Sequence, residues 1–132
     1  MIKRPINERF VDEVITGQKT TTIRSNPWPV GKSVMLYCWK GAPYRSKQQD
    51  VAEVVVQSVR PVKITHRQDG DMIYAYAQPG AKLLHQTEGF ISRTDMDEWF
   101  RQVVPIGHTM EKALIQFSLK TPTCPLSHLP TF

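Results

Sequence analysis

The stretch VAEVVVQSV, Val51 to Val59, constrains the fold most. β-branched side chains crowd a helix and fit a pleated surface, so five valines in nine residues predict a long strand. Pro61 ends that strand or places it on an edge, because proline has no N–H to give a ladder. A second apolar β-type run, SVMLYCW, covers Ser33 to Trp39. A last strand, EKALIQFSL, is read from the alternation of Ala113, Ile115 and Phe117. The helical stretches are short. Asn7 is a good N-cap for a helix carrying Phe10, Val11, Val14 and Ile15, and Gly17 is a natural stop. AKLLHQTEGF has weak helical character up to Gly89. Thr94 is read as the cap of a further helix, with Asp97 as capping-box partner and Met96, Trp99, Phe100 and Val103 as its apolar face. SNPWPVG is a loop, KGAPYRSKQQD a polar basic loop, and residues 63–80 are irregular, with RQDGD as a turn and MIYAYAQPG as a short strand or helix fragment. The order is helix, three strands, helices, strand, with short strands predominating. It predicts an α+β arrangement, a small curved sheet or open β-barrel flanked by short helices.

A chain of 132 residues is one domain by size. Residues 1–120 form that domain, and residues 121–132 are a Pro-rich tail that wraps over the surface or lacks fixed structure. No apolar run approaches the roughly 18–20 residues of a membrane span, and the N-terminus has no apolar core of a signal peptide. Cys38 sits in an apolar run and Cys124 in the tail, so a reduced, cytoplasmic protein is expected. The formal charge of +5 favours an anionic partner, nucleic acid being the commonest, although a mildly basic surface also occurs without one. His66, His85, His108 and His128 show no metal-ligand spacing, and the cysteines form no CxxC, so no metal is expected. Seven singly spaced glycines form no phosphate loop, so no nucleotide cofactor is expected. No GxSxG anchors a serine triad.

The chemically dense stretch is GQKTTTIR, Gly17 to Arg24. In an extended strand, side chains alternate. Ile23 and Thr21 then share the core face, while Thr20, Thr22 and Arg24 line the opposite, solvent face. Lys19 stands at the junction with the preceding helix. A lysine amine beside a threonine hydroxyl serves as a base only if burial or nearby cations lower its pKa. Arg24 is able to lower it or to bind an anion. The residues alone also fit a solvated Thr/Lys/Arg face on an exposed strand, and that plainer reading is the one they favour.

Three features in order resemble the ASCH family of the PUA-like superfamily. A short helix runs into GQKTTTIR, similar to the family's G-x-K-T-x-T-x-R. A glycine-led turn into a strand follows in VGKSVMLY. TEGFISRTDMDEWF is similar to the family's acidic EG(F) followed by a helix. The resemblance covers residues 6–119. It implies a PUA-like open barrel with a cleft lined by these motifs and a role in binding RNA or nucleosides. One bacterial branch hydrolyses the acetyl amide of N4-acetylcytidine with the lysine and second threonine of K-T-x-T and a later glutamate. Carried over, these are Lys19, Thr22 and Glu88, and Arg24 matches the motif arginine. Thr21 stands where the family usually has an apolar residue.

The leading expectation from this resemblance is a hydrolase acting on RNA or a modified nucleoside. Thr22 attacks an acyl carbon, Lys19 takes its proton, Glu88 moves a proton or holds the exocyclic nitrogen, and Arg24 steadies the oxyanion. The alternative is a non-catalytic RNA-binding module, with Arg24, Thr20, Lys40, Arg45 and Lys47 on the backbone and Trp28 or Tyr44 stacking on bases. Trp39 is assigned to the core rather than to stacking. A ribonuclease is a third reading that no residue singles out. No obligate protein partner is evident.

Overall fold

The computed structural model describes residues 1–40, 47–77 and 83–122. Its organising element is the valine-rich strand, which runs much further than its valines, from Gln48 to His66 (β4). It continues because other strands cover it. On one side, β3 (Ser33–Trp39) pairs antiparallel with its first half. On the same side, β5 (Met72–Tyr76) pairs with its second half, Val62 to His66. On the other side β6 (Thr109–Pro122) follows it from Thr65 to Ala52. Pro61 does not end the strand but lies where one side of β4 is locally an edge. It falls between the β3 and β5 pairings, where β4 lacks a partner on that side. Residues 63–66, read as irregular, are strand. The turn read in RQDGD closes the β4–β5 hairpin, with Arg67 N–H donating to Asp71 O at 2.8 Å and Gly70 at φ +93°. Among the described residues four of the six strands are short, and β4 and β6 are the long ones. β6 also takes in Pro122, two residues into what the sequence assigned to the tail.

Two further strands complete an open mixed sheet in the order β1-β3-β4-β6-β2, with β5 beside β4. β1 (Ile2–Pro5) has no clear sequence signature and pairs parallel with β3, Ile2 opposite Val34. β2 (Thr21–Arg24) pairs antiparallel with β6, Thr22 opposite Ile115. The sheet does not close on itself: β1 and β2 are its two ends. Register shifts at Glu53/Val54 and Val56/Ser58 against β6, and at Leu36/Tyr37 against β4, mark bulges, which bend a strand and raise its twist. The two ends consequently reach one cavity, lined by Ile6 and Asn7 just after β1 and by Thr22, Ile23 and Arg24 of β2.

Val34, Leu36, Val54, Val56, Val62, Ile64 and Ile115 are fully buried, each contributing about 1.5–3 kcal/mol of transfer free energy. Asn7 caps a single 3-10 turn, Glu8–Phe10, by accepting from Arg9 N–H at 2.9 Å, and α1 (Val11–Ile15) follows. Gly17, at φ +79°, ends it. α2 is the single turn Leu84–Thr87. α3 (Arg93–Arg101) is capped by Ser92, whose Oγ accepts from Asp95 N–H at 3.2 Å, and not by Thr94. Starting earlier, the helix buries Met96 and Phe100, half-buries Trp99 and leaves Val103 exposed. No helix among the described residues is long and apolar enough to cross a membrane.

Candidate functional site

Lys19 is delivered by the stop of α1. Its backbone N–H donates to Glu13 O at 2.8 Å, and its side chain turns inward to 4 % exposure. The ammonium donates to the backbone carbonyl of Glu88 at 2.7 Å and lies 3.9 Å from Glu88 Oε1. It also sits 4.7 Å from the centre of the Phe10 ring. Burial pushes the Lys19 amine below the ordinary lysine value of 10.5. Glu88 opposes that shift, Arg24 adds to it, and Glu13 opposes it.

Glu88 arrives from the end of α2, which is tied to β2 by Thr20 N–H donating to Thr87 O at 2.8 Å. Its carboxylate is 3 % exposed. Thr21, fully buried, donates to Glu88 Oε2 and stands 3.0 Å from Thr87 Oγ1. The next residue, Gly89, has φ +86°, and a Cβ there would stand 3.2 Å from Lys19 Cβ. Glycine thus provides both the turn after Glu88 and the space that the Lys19 stem occupies.

Thr22 and Arg24 share one face of β2, as alternation predicts, and Arg24 Nε donates to Thr22 Oγ1 at 3.0 Å. That face is not solvent. Thr22 is 5 % exposed and Arg24 half-buried. Ile23, expected to anchor the core face, is only partly buried and lines the cavity. The Arg24 guanidinium lies 5.1 Å from the centre of the Trp28 ring. Trp28 itself is 4 % exposed and part of the core, which removes it as a base-stacking residue and makes it the floor under Arg24. Proline on both sides of Trp28 suggested a loop tip; the loop instead folds its one large apolar side chain inward.

Lys19, Thr22 and Glu88 line one cavity of about 210 Å³ together with Arg24 and Asn7. The remaining wall is mostly aromatic, Phe10, Phe90, Trp99 and Phe100, with Ile6 and Ile23 beside them. Phe10 and Phe90 meet edge to face at 5.1 Å, and Trp99 meets both. Arg9 stacks above Phe10, Phe90 and Trp99 and pairs with Asp95. This wall is assembled from three separate stretches of sequence and has no single motif. The TEGF motif that the resemblance set at the cleft does reach it through Glu88 and Phe90, whereas Trp99 and Phe100, read only as the apolar face of α3, complete the wall.

The other residues expected at the site do not join it. Thr20 is half-buried, and its backbone ties α2 to β6. Lys40 and Lys47 are exposed and linked by a backbone hydrogen bond of 3.0 Å, outside the cavity lining. Tyr44 and Arg45 lie outside the described residues. Trp39 is half-buried against Tyr37, not in the core. Among the described residues no group of three His, Cys, Asp or Glu side chains is arranged to hold a metal ion. Comparison with protein-family models, with curated proteins and with solved structures returns no match to this chain.

Proposed function

We propose that the protein is a PUA-like, ASCH-type hydrolase that removes an acyl group from the exocyclic nitrogen of a modified nucleoside, N4-acetylcytidine being the type of substrate. The observation that carries this reading is that Lys19, Thr22 and Glu88, each from a separate element, line one aromatic-walled cavity. At about 210 Å³ the cavity is smaller than the several hundred Å³ typical of drug-sized ligands. It suits a single planar base rather than a folded oligonucleotide. The phenylalanine and tryptophan rings offer faces and edges to such a base.

The chemistry needs a nucleophile, a base and an acid. Thr22 Oγ attacks the acyl carbon, and its proton passes to the neutral Lys19 amine. Burial favours that neutral form. The oxyanion forms beside Arg24, whose Nε already orients the Thr22 hydroxyl. As the C–N bond breaks, its electron pair goes to the exocyclic nitrogen, which takes the proton that Lys19 accepted from Thr22, relayed through the Glu88 carboxylate that faces Lys19. Water then cleaves the acyl-threonine, releasing the carboxylic acid and returning the proton to the site.

The test is acetate release from N4-acetylcytidine by the wild-type chain and by Lys19→Met, Thr22→Val and Glu88→Gln, with thermal unfolding as the control. Loss of a positioned base or acid costs on the order of 10²–10⁴-fold in turnover. A wild-type protein that binds the nucleoside but releases no acetate is a binding module instead.

A further inference from the structure

Asn7 lines the cavity beside Ile6, where the chain leaves β1. The sequence marks it as a helix cap and nothing more. Its Oδ1 accepts from Arg9 N–H at 2.9 Å, and its backbone carbonyl accepts from Phe10 N–H at 2.9 Å. An amide oxygen accepts and an amide nitrogen donates, so the capping bond fixes which way round the side chain lies. Nδ2 is then left with its N–H groups and has no acceptor among the described residues. Capping alone does not call for it. Serine, threonine and aspartate also make good caps, and none carries an NH2 beyond the capping oxygen. The other polar groups of the lining are engaged already. Lys19 donates to Glu88 O, the Glu88 carboxylate accepts from Thr21, and Thr22 accepts from Arg24. Lys19, Thr22 and Glu88 are buried, whereas Asn7 is exposed at the mouth.

We propose that Asn7 is a specificity-determining residue whose NH2 donates to the ring carbonyl of a pyrimidine held in the cavity. This rests on the reading above, in which the cavity holds an N-acylated base. In that reading the exocyclic nitrogen lies deep, beside Lys19, Thr22 and Glu88. At about 210 Å³ the cavity takes a base without its sugar, so the bond to the sugar faces the mouth. The ring atom two bonds from the carbon bearing the exocyclic nitrogen then lies on the Asn7 side. In cytosine that atom is C2, and it carries the acceptor O2. In adenine the atom in the same place carries only hydrogen, and the Asn7 NH2 gains no partner from it. A site that hydrogen-bonds a ligand group disfavours the analogue lacking that group. The cavity therefore favours an N-acylcytosine over an N-acyladenine.

The test uses rings without an acyl group, so it does not depend on turnover. Isothermal titration of the full chain compares cytosine with 4-aminopyrimidine, the same ring without the carbonyl oxygen. The wild type should bind cytosine about three- to tenfold tighter, the scale of one hydrogen bond. Asn7→Asp and Asn7→Ser both keep a capping oxygen, so thermal unfolding should change little. The preference for cytosine should disappear in both. Serine controls for the charge that aspartate adds. Equal binding of the two rings by the wild type overturns the proposal. A preference for cytosine that survives either substitution also overturns it and leaves Asn7 as a cap alone. Failure of the wild type to bind cytosine overturns it too. Acetate release from N4-acetylcytidine is a separate readout. Its absence beside an Asn7-dependent preference for cytosine rejects hydrolysis and upholds the proposal.

Discussion

Lys19 illustrates what burial does to a single group. Its stem lies against Gly89 and its amine over Phe10, out of water. Desolvation lowers its pKa, so over part of the alkaline range the unfolded chain binds a proton that the folded chain does not. Stability from this group therefore rises with pH, from the lowered folded value up to the ordinary 10.5. Urea midpoints of the wild type minus those of Lys19→Met should climb as the pH rises towards the ordinary lysine value of 10.5. A flat or falling difference would mean that Lys19 is solvated. The limb of kcat/KM that rises with pH should also vanish with the amine. Thr21 acts at the same scale. It holds Glu88 Oε2 and leaves Oε1 facing Lys19. Thr21→Val keeps the shape but strands a buried carboxylate oxygen, a loss of about 1–3 kcal/mol. We expect a lower Tm and a lower kcat with little change in KM, and recovery of both in Thr21→Ser. Unchanged kcat in Thr21→Val would reduce Thr21 to packing.

Among the elements, α3 matters because Trp99 and Phe100 form part of the cavity wall. Its start decides which residues face inward. With Ser92 as cap, Met96 and Phe100 are four apart on the buried side, and Val103 falls beyond the helix. Ser92→Ala should cost about 1 kcal/mol in chemical unfolding, whereas Thr94→Ala should cost much less. Equal losses would restore Thr94 as the cap. β4 shows why a proline does not always end a strand. Its ladder continues through β6 on one side, while no strand pairs with the other side from Gln57 to Pro61. A missing N–H costs little where no partner strand waits for it.

At the scale of the molecule, the open sheet brings its first and last edges to one cavity, and charge is shared out accordingly. Lys19 and Arg24 line it, while Lys40 and Lys47 stand exposed elsewhere. If the ligand is a base within single-stranded RNA, flanking phosphates should meet this second group. Lys40→Ala with Lys47→Ala should then weaken RNA binding and reduce the salt slope by roughly 0.7 for each phosphate no longer neutralised. It should leave mononucleotide binding intact. An unchanged slope would confine recognition to the cavity.

Local signals in the sequence determined the caps at Asn7, the stops at Gly17 and Gly89, the strands at Ser33–Trp39 and in the valine run, and the shared face of Thr22 and Arg24. Each depends on spacing within a few residues, where backbone geometry and side-chain alternation act without help from distant parts of the chain. Only the tertiary structure decided that this shared face is a cavity wall, that Trp28 lies under Arg24, and that Thr21 holds Glu88. It also decided that IKRP is a strand, because β1 exists by pairing with β3 rather than by any preference of its own. Burial, pairing and the pKa of Lys19 depend on which groups exclude water from which others. That is set by interactions between residues far apart in the chain, such as Lys19 and Glu88, 69 positions apart.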